Sequence, residues 1–149
     1  MATAFALAIG TNDDVILTGR MVESLDFGGG KITSQTNGLF YARINPNGDH
    51  EWSRAVGSGL RDTPPTIAVT PSGDVVTAAY TSLPTPADPM VGGLNFGEGV
   101  LPRGLVLARL DAGGKYVAST TFPSGGQWSW LFVGATPNAV YVAGAAAAP

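Results

Sequence analysis

The feature that most constrains this chain is internal repetition. Residues 8–18 (AIGTNDDVILT) return 60 residues later as 68–78 (AVTPSGDVVTA) and again as 133–143 (VGATPNAVYVA), with Thr70-Pro71 and Thr136-Pro137 lying 66 apart. A second echo interleaves with the first: 40–49 (FYARINPNGD) aligns at an offset of 66 with 106–115 (VLARLDAGGK). A third, Leu25-Asp26-Phe27-Gly28-Gly29-Gly30, returns 69 residues on as Leu94-Asn95-Phe96-Gly97-Glu98-Gly99. A unit of 60 to 69 residues divides the 149 residues into two full copies and part of a third. Such a period points to one supersecondary unit stacked on its neighbours rather than to one irregular domain.

Each unit reads as four strands joined by turns. In the first copy the strands cover 5–9, 15–22, 39–44 and 50–56; in the second, 66–69, 75–81, 105–110 and 116–122; in the third, 131–135 and 140–143. Asn12-Asp13-Asp14 and Pro46-Asn47-Gly48 supply the positive-φ and side-chain-to-backbone geometries that tight hairpins need. Composition agrees, because 21 Gly and 11 Pro without a three-residue period fit neither collagen nor a helical bundle, and 44% hydrophobic residues exclude a disordered chain. Several strands are apolar on both faces: Phe40, Ala42 and Ile44 alternate with Leu39 and Tyr41. A sheet buried on two sides follows, whereas a sandwich would keep one face wet. The fold class is therefore all-β and β-propeller-like, with consecutive four-stranded antiparallel meander blades in an incomplete ring. Within this single repeat domain, 1–60 form blade 1, 61–126 blade 2 and 127–149 a partial blade 3. Propellers close with roughly four to eight blades, so self-association or further blades must cover the open blade faces.

The repeated motifs also carry a family resemblance. Gly19, Leu25-Asp26-Phe27-Gly28-Gly29-Gly30, the run from Phe40 through Ala42-Arg43-Ile44-Asn45-Pro46-Asn47-Gly48-Asp49-His50 to Trp52-Ser53-Arg54, Gly57, and Ala68-Val69-Thr70-Pro71-Ser72-Gly73-Asp74-Val75 follow one another in a fixed order. That order resembles the bacterial SBBP-type β-propeller repeat over nearly the whole chain. It departs in the second copy, where Ala118 stands opposite Trp52 and Ala79 opposite Gly19, which implies a less regularly packed blade. The resemblance implies an exported or surface-attached bacterial protein, extracellular or at the cell surface. The apolar stretch 2–9 has no preceding Lys or Arg and reads as a first strand, not a signal peptide.

Charge narrows the partners. Eight Lys plus Arg against 11 Asp plus Glu give a net charge of −3 with no basic cluster to neutralise phosphates, so no nucleic acid is expected. The chain has no cysteine, which removes disulfides and thiolate chemistry but leaves the redox compartment open. Its longest apolar stretches fall short of the roughly 20 residues of a spanning helix, so no membrane insertion is expected.

The motifs that spell known chemistry read as structure. Asp26-Phe27-Gly28 lacks every other kinase element, and its second copy, Asn95-Phe96-Gly97, has lost the carboxylate. Phe27 and Phe96 are expected to plug the edge of a blade. Gly28-Gly29-Gly30-Lys31 lacks the first glycine and the Ser or Thr of a phosphate loop. The oxygen-rich run from Asn45 to Asp49 lacks the distal bidentate glutamate of a calcium loop, and its counterpart contains Lys115. His50 has no nucleophile elbow to serve, and nothing holds two carboxylates at a glycosidase separation. Asp14 and Asp74 read as equivalent, solvated turn residues. No catalytic residue, metal site or cofactor is expected.

Loop lengths give the functional asymmetry. The first-to-second and third-to-fourth strand turns gather at one end and are short, whereas the connections 23–38, 57–65, 82–104 and 123–129 gather at the other. The third of these is the longest and is Pro-rich at Pro84, Pro86 and Pro89. Long loops on a rigid scaffold are where binding usually resides, so Trp128, Arg61, Asp62 and Arg103 are the candidate ligand-binding residues. Trp130 and Trp52 are expected to pack between blades. The function read from these features is a non-catalytic binding or scaffolding module with a glycan or protein ligand. The alternatives are a fragment of a propeller hydrolase or lyase whose active site lies in missing blades, and a truncated product without activity.

Overall fold

A computed structural model describes residues 1–57, 64–81, 94–123 and 128–146, with 35–37 and 146 described in backbone only. Among the described residues there is no helix, and ten strands form three antiparallel sheets. The first sheet contains β1 (Ala2–Ile9), β2 (Val15–Asp26), β3 (Lys31–Ile44) and β4 (His50–Val56), paired in chain order. The second repeats that order with β5 (Thr66–Val69), β6 (Val75–Thr81), β7 (Gly104–Leu110) and β8 (Tyr116–Phe122). The third pairs β9 (Trp128–Ala135) with β10 (Val140–Ala146). β1 runs beside β5, and β9 lies against β5 and β6.

Turn chemistry sets these pairings. In the β3–β4, β5–β6 and β7–β8 turns the amides of Gly48, Gly73 and Gly114 donate to the carbonyls of Asn45, Thr70 and Asp111 at 2.8–2.9 Å. All three glycines have φ near +80°, at 88°, 86° and 79°, where a side chain is strained. Asp13 takes the corresponding position of the β1–β2 turn at φ 61°. The β9–β10 turn is one residue shorter, closed by the Thr136 amide on Ala139.

The segment 23–38 differs from the expected loop. β2 and β3 continue through it, pairing Glu23 with Ser34, Ser24 with Thr33, Leu25 with Ile32 and Asp26 with Lys31. A bulge between Met21 and Glu23, with Glu23 at φ 67°, bends the hairpin. Asp26 Oδ1 closes its tip by accepting from the Gly28 and Gly30 amides at 2.8 and 3.1 Å. Phe27 folds back onto Phe40, with ring centroids 5.3 Å apart. Phe96, from the matching motif of the second copy, is buried between Tyr41 and Tyr116. The expected stretches 5–9, 131–135 and 140–143 also lengthen, to Ala2–Ile9, Trp128–Ala135 and Val140–Ala146.

The main core lies between the first two sheets. Ile16, Leu39, Tyr41 and Val56 of the first meet Ile67, Val75, Ala79 and Val106 of the second. A smaller cluster of Ala78, Leu105 and Leu131 joins the second sheet to the third, with Leu107, Val133 and Val142 at its margin. Trp130 departs from its expected packing role: at 48% exposure it points away from the second sheet. β9 begins before Trp130, and strand alternation puts Leu131 and Val133 inward and Trp130 and Phe132 outward.

Trp52 does pack between sheets, as expected. Its Nε1 donates to the Ala112 carbonyl at 2.9 Å. Its ring lies so close to Gly114 that an added Cβ would sit 2.6 Å from Cδ2. The equivalent Gly48 meets nothing within 4 Å. Gly114→Ala is therefore expected to cost about 2 kcal/mol or more, from backbone strain plus overpacking. Gly48→Ala should cost about 1 kcal/mol from strain alone, and urea unfolding of the two variants measures the difference.

Candidate functional site

Two repeated pairs, Asp14 with Arg43 and Asp74 with Arg109, organise the tight-turn end of the sheets. Asp14 and Asp74 close the first turn of their copies, and Arg43 and Arg109 stand near the ends of β3 and β7, where register pairs them with Ile16 and Val76. Each carboxylate immediately precedes the second strand of its sheet and each guanidinium stands on the adjacent third strand, so one hairpin brings together groups 29 or 35 residues apart.

The first pair is sealed. Arg43 Nε donates to Asp14 Oδ2 at 3.0 Å and lies 2.8 Å from Glu51 Oε2, Nη2 bonds Asp14, and Nη1 donates to the Ala112 carbonyl of the second sheet at 2.9 Å. The side chains of Arg43 and Asp14 are 6% and 3% exposed. A guanidinium taken out of water at this depth is tolerable because each of its three nitrogens has an acceptor.

Neighbouring side chains add further directed bonds across the same interface. Arg54 donates to the carbonyls of Gly114 and Phe96. Tyr41 exchanges a hydrogen bond of 2.9 Å with Thr77, which also bonds the Thr66 carbonyl. Burial pushes the Tyr41 phenol from 10.0 up to about 12, against hydrogen bonds from Thr77 and Thr18 and the Arg54 charge, which pull it down.

The second pair is open. Arg109 donates to Asp74 Oδ2 through Nε at 2.7 Å and through Nη2. Its side chain is 52% exposed, and among the described residues Nη1 has no acceptor. Val117 occupies the position of Glu51, and Ala118 that of Trp52. Beside Arg109 runs a groove of about 580 Å³ between the β5–β6 and β9–β10 turns, lined by Thr70, Ser72, Val76 and Asn138 among others. A shallower apolar trough of about 240 Å³ continues over Leu107, Ala118 and Thr120 to Val140. This surface offers one charged donor, hydroxyls and apolar floor, which suits recognition of an acceptor oxygen.

Of the four residues expected to bind ligand, Trp128 and Arg103 are described, and both lie away from this groove. Trp128 is half-buried and packs on the Ala78, Leu105 and Leu131 cluster. Arg103 lies two residues before Leu105 and donates to the Tyr80 hydroxyl at 3.1 Å. The two thus share one corner of the second sheet, with the Trp128 ring committed partly to packing. Arg61 and Asp62, and the Pro-rich 82–93, lie outside the described residues.

The remaining motifs are occupied locally. His50 Nε2 pairs with Ser53 Oγ at 3.0 Å, and its ring lies against Gly29, where a Cβ would be 2.0 Å away. Asn45 Oδ1 accepts from the Asn47 and Asp49 amides within its own turn. No family model and no curated protein matches this chain.

Asp14 and Asp74 were expected to be solvated; the structure buries both. The missed signal is joint repetition: each of the two full copies keeps a turn-end aspartate together with an arginine in the A-R-I/L stretch. Arg43→Met is expected to cost about 3–5 kcal/mol, because it strands the buried Asp14 carboxylate. Arg109→Met should cost about 1 kcal/mol or less, since water screens its pair. Denaturant midpoints of the two variants read the contrast directly.

Tyr41 gives a pH dependence. Its folded value is the higher one, so the folded state holds its proton between pH 10 and about 12 while the unfolded chain releases it. This contribution is complete below pH 10 and is lost as pH rises through about 12. Tyr41→Phe is expected to lose about 1 kcal/mol at neutral pH with the Thr77 hydrogen bond. It should also flatten the alkaline decline, which thermal melts across that range would show.

Proposed function

We propose that the chain is a β-propeller-type repeat module with a non-catalytic scaffolding role, built to stand beside further units of the same kind. The resemblance to SBBP-type repeats supports a setting in a bacterial exported or cell-surface protein, and of the two expected ligand classes, glycan and protein, the exposed apolar surfaces favour protein. One observation carries this reading: the stack of sheets ends in apolar side chains on both sides. On the first sheet Leu7 and Ile9 are exposed; on the third, Trp130, Phe132 and Tyr141. The Trp130 and Phe132 rings lie 5.4 Å apart and form a continuous aromatic surface.

The arrangement of the first two sheets supports the same reading. The Arg43-bearing face of the first sheet covers the second, and the Arg109-bearing face of the second is partly covered by the third. The first strands β1, β5 and β9 are neighbours, as the inner strands of propeller blades are. Exposed aromatic rows of this size belong at interfaces between proteins, and a half-buried Trp128 favours a protein over a glycan ligand.

The test is the mass in solution. Light scattering at micromolar concentration is expected to give an assembly of several chains, and Phe132→Ser with Tyr141→Ser should dissociate it with the β-sheet circular dichroism unchanged. A folded monomer at all concentrations would overturn self-association.

A further inference from the structure

We propose that Asn47 is a site of spontaneous deamidation, at which the β3–β4 turn converts in place to a mixture of aspartate and isoaspartate. Water is the only co-reactant. The Gly48 amide nitrogen attacks Asn47 Cγ, the Cγ–Nδ2 bond breaks, and ammonia leaves with the Gly48 proton, which closes a five-membered succinimide. Water then adds to either carbonyl of the ring. Cleavage at Cγ leaves aspartate, and cleavage at the main-chain carbon leaves isoaspartate, whose chain runs on through Cγ. The site does not depend on the module reading above.

Two conditions select this residue: an unhindered attacking nitrogen and a carboxamide free to turn. Glycine follows Asn47 and has no Cβ to shield its amide. The Asn47 carboxamide has no partner among the described residues, because Asn45 ties the turn instead. Asn45 Oδ1 accepts from the Asn47 and Asp49 amides at 2.9 Å, and Asn45 Nδ2 donates to Asp49 Oδ2 at 3.2 Å. Asn45 itself fails both conditions, since those bonds hold its side chain and Pro46 has no N–H to attack with. Asn95 precedes Phe96, and its Oδ1 accepts from the Gly97 and Gly99 amides at 2.7 and 3.2 Å. Asn12 and Asn138 precede Asp13 and Ala139, each with a Cβ. Asn37 also precedes a glycine, but Gly38 is buried in β3, paired with Met21.

One bond opposes the attack, from the Gly48 amide to the Asn45 carbonyl at 2.9 Å. Losing a single exposed hydrogen bond slows the reaction by no more than about tenfold, which is about 1.4 kcal/mol. A Cβ built on Gly48 would meet nothing within 4 Å, so the turn has room to open and to hold the ring. Docking against another sheet leaves the carboxamide position in solvent. The matching turn of the second copy is held on the first sheet by Arg43, Trp52 and Arg54, and there Gly113, the counterpart of Asn47, stays exposed.

The two products differ in consequence. Aspartate adds a charge beside Asp49 at the exposed tip. Isoaspartate lengthens the main chain between Asn45 and Asp49, whose spacing sets every bond of the turn. Arg43 and Glu51 stand immediately outside that turn, with Nε and Oε2 2.8 Å apart. A longer turn therefore loosens the contact that holds Arg43 from the β4 side.

The test is to age the full folded chain for several weeks in mildly alkaline buffer, with peptide mapping by mass spectrometry that separates aspartate from isoaspartate. Asn47 is expected to convert at least about tenfold faster than Asn12, Asn45, Asn95 or Asn138, a barrier difference of about 1.4 kcal/mol. Gly48→Ala should slow the conversion by a similar factor, with circular dichroism checking its fold. Conversion of Asn47 no faster than of those residues, conversion only in urea-unfolded chain, an unchanged rate in Gly48→Ala, or modification confined to Asn37 would each overturn the proposal. The isolated isoaspartyl form is expected to unfold at lower urea than the parent chain, and Asn47→Asp at the same urea. An isoaspartyl form with the parent's midpoint would overturn the effect on Arg43.

Discussion

The arginine at position 43 is the interaction on which the rest depends. It ties the β1–β2 turn through Asp14, the start of β4 through Glu51 and the next sheet through the Ala112 carbonyl. Leaving water is costly for a guanidinium, and only the complete set of acceptors offsets that cost. Two sheets that could slide on an apolar interface are thereby held in one registration. Tyr41 and Thr77 at the middle of the interface, and Arg54 at Gly114 and Phe96, repeat the constraint at other heights along the strands. The apolar cluster supplies the driving force and these directed bonds supply position.

The two copies of this device are not equal. Each of the three Arg43 nitrogens has an acceptor, whereas Arg109 engages Asp74 through Nε and Nη2 and keeps about half of its side chain at the surface. The loss of a tryptophan and an arginine at positions 118 and 120 removes side chains that would otherwise reach out from β8. The β8 part of the second sheet is consequently smaller in its side chains and uncharged where the matching part of the first sheet has Glu51, Trp52 and Arg54. Its difference from the first interface is chemical and not topological, since both sheets share one strand order.

Much of the architecture was legible in the sequence because it is written in turns. Glycine at Gly48, Gly73 and Gly114, with Asn, Thr or Asp three residues before each, marked the hairpins and gave strand order directly. The β2–β3 extension was not legible: residues 31–38 are polar and small, and a hairpin that stands away from the core carries no apolar alternation to betray it. Trp130 misled for a related reason, since an aromatic residue in an apolar run reads as core until register decides which face it takes. The Asp–Arg pairs escaped notice because carboxylate and guanidinium lie in different motifs, and each alone looks like ordinary surface charge. Trp128, expected in a loop, instead begins β9 with its indole partly enclosed in packing, because β9 starts three residues earlier than its apolar run suggests.

A buried arginine whose acceptor lies 69 residues downstream has a consequence for the order in which the chain can become a protein. The first sheet can pair its own strands as they are made, since every neighbour is adjacent in sequence. It cannot dehydrate Arg43 until the β7–β8 turn arrives to accept its third contact. During synthesis the first four strands must therefore persist as a wet, unlocked sheet for the time it takes to add that length of chain, a few seconds at about 5–20 residues per second. The ion pair that fixes the finished structure thus also sets the earliest moment at which it can be finished.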